Sequence, residues 1–352
     1  EQPSASTAAC AVPTRLRIEA VARYFRRPAE TVLNDQLSLS ALQSDALPRV
    51  EPMHDRLSGL DSVARELFLQ AARDPASLLP EHAPPALSLA GRLPLGRAGE
   101  ATWQRERFAI EALRDIAQGH PLFANGLPSA QFVALDFTCD AWQLHGNIGP
   151  LYRCGETDWL LIVVAPKIKQ SGGVLAIERG GRIAHFGQRV PVFLQWLLQQ
   201  LQAPLQPIRV CLLQQDAGDG WTGRLDAFNQ AWVSAWQQQD AARIAALRRD
   251  LLTRLDGLLR LYTEAQQGRR WYFPRTSWQA ALDPDGKWLN QWDGKLGERF
   301  VDGGYAALWS RDVELGEAPT ETDALIDLAR DLAHWLMVDP AAVHPIAQEV
   351  AR

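Results

Sequence analysis

The sequence predicts an α/β protein, with a mixed sheet formed in the middle of the chain and helices before and after it. Three observations carry that prediction. Residues 131 to 178 hold short runs that alternate apolar and polar, or are apolar throughout, bounded by glycine turns, and such runs are strands. Arg97 to Gln118 has the length and apolar spacing of a long helix. Phe186 to Leu201 and Arg224 to Gln266 repeat the helical signature after the strands, with one more apolar strand, Ile208 to Gln214, between them.

Length and composition bound the answer. A chain of 352 residues can bury a sizeable core and is long enough for two units. Its 47% hydrophobic and 22% charged content is that of an ordinary globular protein. No apolar run reaches the length of a membrane span and none reads as a signal peptide, so a cytoplasmic setting is expected. A formal charge of -5 argues against a generally basic coat but leaves room for a local basic channel. Cys10, Cys139, Cys154 and Cys211 form no CxxC pair and have no His at zinc-ligand spacing, so they read as reduced thiols. No cofactor is expected.

In order, residues 1 to 14 read as linker, opening without Met as a piece of a longer protein. Residues 15 to 128 read as a helical part leading into the core. Arg15 to Leu39 has helical spacing at Leu16, Ala20, Tyr24 and Val32, and Pro28 opens a second helix there. Arg26-Arg27-Pro28 is a solvated helix end or a phosphate contact. A polar stretch from Gln43 to Met53 precedes a helix near Asp55 to Ala72; Pro75 to Pro94 is irregular with room for one short helical turn. From 129 to 352 the expectation is a sheet core with a helical extension. Its strands are Phe132 to Phe137, Trp142 to Ile148, Trp159 to Ala165 and Val174 to Glu178. The helical region 224 to 266 should break near Gln239-Asp240, 271 to 309 should be mostly irregular, and Ala318 to Val338 should close the chain as an amphipathic helix.

The hairpin built from WQLHGNIGPLYRCGETDWLLIVVAPKIK (142 to 169), with a helix after it, resembles the core of the PD-(D/E)XK nuclease fold. Nucleases of that kind end the first strand in G-x-I-D and the second in D-x-K, because Mg²⁺ is a hard cation held by carboxylates. Here the patterns read Gly146-Asn147-Ile148-Gly149 and Ala165-Pro166-Lys167. The resemblance therefore implies a nuclease-like core lacking its metal-binding acids, vacant at Gly149 and Ala165 and keeping only Lys167. RecB-type nucleases also place a His where Trp103 stands and a Q-x-x-x-Y on the following helix, where Gln188 and Gln195 are followed by Val192 and Gln199.

Along nearly its whole length the chain is similar to the C-terminal region of RecC, the gamma subunit of the exodeoxyribonuclease V helicase-nuclease. The matching pieces are Arg23-Tyr24-Phe25-Arg26-Arg27-Pro28, Gly59-Leu60, Leu93-Pro94-Leu95-Gly96-Arg97-Ala98-Gly99-Glu100, Leu144-His145-Gly146-Asn147-Ile148 and Gly303-Gly304-Tyr305-Ala306-Ala307-Leu308-Trp309, in that order. The resemblance implies a non-catalytic nuclease-like domain of a DNA-repair complex. It would dock RecB-like and RecD-like subunits and help guide separated, single-stranded DNA. The Chi-reading residues of that family lie upstream, so none is carried over.

Candidates for DNA contact are Lys167 and Lys169 at the vacant site, and Arg269, Arg270, Trp271 and Arg275, where basic groups stand beside aromatics able to stack bases. Most of the 13 tryptophans read instead as core or interface. Gly218-Asp219-Gly220-Trp221-Thr222-Gly223 fits G-x-G-x-x-G, yet bulky Trp221 and acidic Asp216 and Asp219 oppose a pyrophosphate, and it reads as a glycine-rich turn. Asp136, Asp140, Glu156, Asp158 and Glu178 leave open a rearranged Mg²⁺ site in an active nuclease. A pure protein-interaction module without DNA contact is the third reading.

Overall fold

The computed structural model describes residues 14–36, 60–74, 78–90, 92–139, 141–178, 183–215, 220–267, 270–286, 288–293, 298 and 322–343. The closing block 303–309, Arg269, Asp140 and most of the linker lie outside them. A short strand β1 (Thr14–Arg17) leads into helices α1 (Ile18–Arg26) and α2 (Pro28–Gln36). Then come α3 (Leu60–Arg73), α4 (Pro85–Leu89) and α5 (Gly96–Ala117). Strands β2 (Ala130–Cys139), β3 (Trp142–Cys154) and β4 (Thr157–Val163) form a meander, followed by a small hairpin of β5 (Ile168–Ser171) and β6 (Val174–Ile177). Helix α6 (Phe186–Gln202) carries the chain to β7 (Ile208–Leu213), which lies parallel to β4. The helices α7 (Trp221–Gln237), α8 (Ala241–Gln266), α9 (Pro274–Leu282), α10 (Asn290–Asp293) and α11 (Thr322–Trp335) follow.

The result is a mixed five-stranded sheet, ordered β1-β3-β4-β7 with β2 also paired to β3, and covered by helices on both faces. One face buries Leu144, Ile148, Leu160, Ile162 and Val210 against α1, α6 and α8. The other buries Tyr152, Trp159, Val163 and Leu213 against Phe68 of α3 and Ile110 and Leu113 of α5. Helix α6 is the centre of the larger core. Phe186, Val190, Phe193, Leu194, Trp196, Leu197 and Leu198 are all fully buried and form its broad apolar face, while Gln188, Gln195, Gln199 and Gln202 share the other side. Each such side chain contributes about 1.5–3 kcal/mol, and Phe193→Ala would cost about 3–5 kcal/mol. The outer edge of β7 is closed by α7, whose buried Asn229 donates Nδ2 to the Ile208 carbonyl at 2.9 Å.

Several expectations change. Thr14 is not linker and 15–17 are not helical: β1 pairs in parallel with β3, Thr14 opposite Trp142 through Arg17 opposite His145. Four residues are too few for a period to show, and only the distant edge of β3 makes them a strand. Strand β1 shares the sheet with β3 and α1 packs on α6, so this part of the chain joins the core directly. Strand β3 runs on to Cys154, so Gly149 lies within it rather than at its end. The stretch after Trp271 holds α9 and α10, where Pro274 at the first helical position starts a turn that composition alone conceals. The break at Gln239-Asp240 is where expected, with Asp240 accepting from the Arg243 amide at 3.0 Å to cap α8.

The turn Leu93–Glu100 has a packing explanation. A Cβ on Gly99 would fall on the Pro94 carbonyl oxygen, so only glycine lets α5 start this close to the preceding chain. The next residue, Glu100, reaches back to the Ala83 amide at 3.1 Å and to His82 Nδ1 at 3.3 Å. The bond from that amide, helped by Gln104, holds its carboxyl below the usual range. Trp103 donates Nε1 to the Pro80 carbonyl at 3.1 Å from a buried position.

Candidate functional site

Strand β3 has two different neighbours along one edge. Residues 142–145 pair with β1 and 152–154 pair with β4, so 146–151 pair with neither on that side. The interruption is written into the sequence. Gly146 has φ 133° and Gly149 has φ 142°, values that side-chain-bearing residues rarely adopt, and Pro150 has no amide to offer.

Two side chains take the place of the missing strand. Glu19, in the first turn of α1, accepts from the Asn147 amide at 2.8 Å. Gln195, mid-way along α6, accepts from the Gly149 amide at 2.7 Å and donates to the Pro191 carbonyl at 3.3 Å. Backbone groups that a strand would have satisfied are thus held by one carboxylate and one carboxamide, each fixed by its helix. Arg17 Nε lies 3.7 Å from the second Glu19 oxygen.

This is the place where the sequence patterns put a metal site, and its geometry does not suit a carboxylate at residue 149. A Cβ on Gly149 would stand 2.7 Å from the Gln131 carbonyl oxygen and 2.8 Å from the Phe132 ring. Ala165 lies two residues past the end of β4, half-buried. Lys167 is exposed and bonds Glu178 Oε1 at 3.0 Å, while its carbonyl accepts from the Glu178 amide at 2.8 Å. Asp158 is at the other end of β4, in a two-pronged bond with Arg153 opposite it, at 2.8 and 2.7 Å. Asp136 is exposed on β2 and Glu156 lies in the hairpin turn. Among the described residues no three His, Cys, Asp or Glu side chains converge as a metal group.

Among the DNA-contact candidates, Lys169 is exposed on β5, close in sequence to the ion-paired Lys167. Arg270 lies 3.4 Å from Asp331 and 4.0 Å from Glu264. Trp271 is partly buried and packs on the main core, so its ring is engaged by protein. Arg275 exposes its side chain, but its amide belongs to the start of α9, donating at 3.1 Å to Glu298. Glu298 also accepts from the Thr276 amide at 2.9 Å and hydroxyl at 2.8 Å. Burial raises its pKa, with these bonds acting against the rise.

Other polar groups near α6 and α9 serve structure. His185 caps α6 by accepting from the Gly187 amide at 3.1 Å, and Gln188 returns the bond to the His185 amide at 3.1 Å. Burial, then the charges of Arg275 and Arg189, push the imidazole down to about 3, so it is neutral. Fully buried Arg189 lies between the rings of Trp221 (4.9 Å) and Trp278 (4.6 Å) and donates Nε to the Ala184 carbonyl at 2.7 Å. Trp221, read in the sequence as an obstacle to nucleotide binding, starts α7 and donates to the Leu336 carbonyl at 2.7 Å.

Sequence reasoning missed Glu19 and gave Gln195 no role beyond an incomplete motif. Nothing near Glu19 in sequence signals a bond to Asn147, more than a hundred residues away. For Gln195 a signal existed: a polar side chain in the middle of a largely buried helix needs a partner.

A scan of protein-family models matches residues 13–283 to the RecC C-terminal domain. A search of curated proteins finds no match. The matched span takes in β1, both sheet faces and the helices through α9, including the interrupted edge of β3. No described helix is long and apolar enough to cross a membrane. The chain belongs to the RecC C-terminal domain family.

Proposed function

We propose that this chain is a non-catalytic, nuclease-like domain of a RecBCD-type helicase-nuclease. On this reading it docks RecB-like and RecD-like subunits and helps guide separated DNA strands during double-strand-break repair. The meander β2-β3-β4, the crossover helix α6 and the parallel return β7 are the kind of scaffold the nuclease resemblance calls for. One observation supports the absence of catalysis: a Cβ on Gly149 would stand 2.7 Å from the Gln131 carbonyl oxygen and 2.8 Å from the Phe132 ring, which leaves no room for a catalytic carboxylate there. A Mg²⁺ ion needs several oxygen ligands with at least one or two carboxylates, and Lys167 beside Glu178 supplies one acid already neutralised.

The docking part of the reading is tested by co-purification. The chain, tagged and expressed with each partner subunit separately and with both, should retain at least one of them through a salt wash without DNA. Retention of neither would remove the docking role.

A further inference from the structure

We infer that the first half of α8, residues 241–249 at the end of the α7–α8 hairpin, contacts the phosphate backbones of a nucleic-acid duplex through Arg243, Arg248 and Arg249. The inference rests on the DNA-guiding reading above and gives it a surface apart from the candidates at 167–169 and 269–275.

The two halves of α8 are built differently. From Leu251 onward the helix is tied into the core by Leu251, Leu255, Leu258, Leu259 and Leu261. Its arginines there are neutralised at helical spacing, Arg254 by Asp250 at 3.0 Å and Arg260 by Asp256 at 2.7 Å. Before Leu251 no residue is buried. Residues 241–249 add about 13 Å of helix at 1.5 Å per residue. Their sequence, AARIAALRR, holds three arginines and no acid. None of the three makes an ion pair or a side-chain hydrogen bond with a described residue. Asp240, just before them, is occupied in accepting from the Arg243 amide at 3.0 Å.

Neither the helix dipole nor packing accounts for these charges. Cations are favoured near a helix C-terminus and disfavoured near its N-terminus, and Arg243 lies in the first turn of α8. At about 100° per residue, half-buried Ile244 and Leu247 fall on the same side as buried Leu251. The remaining arc carries Ala241, Ala242, Ala245 and Ala246, all exposed. Half-exposed Arg248 stands at one margin of that arc, exposed Arg249 in its middle and exposed Arg243 at the other margin. In a chain with 36 basic and 41 acidic side chains, a projecting surface of arginine and alanine alone is a local field of the sign that attracts a polyanion.

That distribution suits two rows of phosphate rather than one. A single strand lying along the helix would meet one margin of the arc. A helix seated in a groove has phosphates on both flanks, which is where Arg243 and Arg248 stand, and the alanines between them let its axis come close. The major groove of a B-form duplex, about 12 Å wide, admits an α-helix, and guanidinium forks match phosphate oxygens in pairs. Exposed Gln237, Gln238 and Gln239 in the preceding turn add uncharged donors for the backbone. An acidic protein surface fits less well. A protein interface needs a large apolar or aromatic anchor at its centre, and the exposed residues from Gln237 to Arg249 include none.

The test uses the whole chain and two fluorescent probes, a mixed-sequence DNA duplex and a single-stranded oligothymidylate, in anisotropy titrations at several salt concentrations. Replacing Arg243, Arg248 and Arg249 together with Gln should weaken duplex binding at least about tenfold at low salt. It should also reduce the salt slope by about 2 to 3, at roughly 0.9 for each phosphate no longer neutralised, with a smaller change on the single strand. The corresponding Lys variant should recover most of the slope, which separates charge from folding. Replacing exposed Arg92 and Arg97 with Gln should leave both quantities unchanged. If the wild-type chain binds duplex with salt dependence and the first variant matches it, this surface is wrong while DNA guidance stands. If the wild-type chain binds only the single strand, or the variant loses as much on both probes, the duplex assignment is overturned and DNA guidance again stands. If the wild-type chain binds neither probe at low salt, both fall. If the variant keeps duplex binding but no longer holds a partner subunit, the surface is a protein dock and the inference is overturned.

Discussion

The amide of Gly149 donates to Gln195 Oε1 at 2.7 Å, joining the interrupted stretch of the β3 edge to the most buried helix of the fold. On the proposed nuclease-like reading, the position where an acid would stand is remodelled, not merely mutated. Restoring the letters of the motif with Gly149→Asp and Ala165→Asp should not create a nuclease. The first change places a side chain at φ 142° against the Gln131 carbonyl, a strain of about 1–3 kcal/mol, readable as a lower midpoint in urea. A double variant of wild-type stability that cleaves DNA in Mg²⁺ would show that the site needs only its acids.

Gln195→Ala should cost about 1–3 kcal/mol, because it leaves a part-buried amide without its acceptor. Hydrogen exchange gives a sharper reading than global stability: the Gly149 amide should exchange faster in the variant while those of the β2–β3 ladder hold. Unchanged exchange at Gly149 would mean the bond carries nothing.

At the start of α5 the prediction separates space from conformation. Gly99→Ala forces the Pro94 carbonyl to move and should cost about 1–3 kcal/mol. Gly96→Ala meets open space and carries only the left-handed penalty at φ 65°, about 1–2 kcal/mol. Thermal melts of the two variants rank them. A Gly99 variant as stable as wild type would dismiss the close approach as the reason for the turn.

His185 makes the fold acid-sensitive in a defined window. Its folded pKa of about 3 is below the ordinary value near 6.5, so the unfolded chain takes up the proton first as pH falls. The stability it contributes is present above about pH 6.5 and is lost progressively towards pH 3, with a total on the order of a few kcal/mol. Glu298, whose pKa is raised, acts with the opposite sign, so wild-type data alone do not isolate the histidine. His185→Asn keeps a capping acceptor and removes the titration. Denaturation midpoints from pH 7 to 4 should fall less steeply in that variant; parallel curves would assign the acid sensitivity elsewhere.

Much of the fold was legible in the sequence, for identifiable reasons. Periodicity over long segments found α5, α6, α8 and α11, and alternating or continuous apolar runs found the sheet strands β2, β3, β4 and β7. What escaped depends on contacts between distant residues. Strand β1 is four residues whose conformation is set by β3, more than a hundred positions later. The interruption of β3 was visible as Gly146, Gly149 and Pro150, but read as a strand end, because a glycine inside a strand and one closing it look alike without the partner. The pairing of Arg270 with Asp331 and of Lys167 with Glu178 likewise needs the fold.

Whether this domain cuts DNA is measured most directly by incubating the purified chain with single- and double-stranded DNA in Mg²⁺ or Mn²⁺ and following product on a denaturing gel. Intact DNA is the expected result at every excess of protein. Cleavage that disappears in Asp158→Ala or Glu178→Ala would contradict the non-catalytic reading, and would place a working metal site on acids that the structure ties to Arg153 and Lys167.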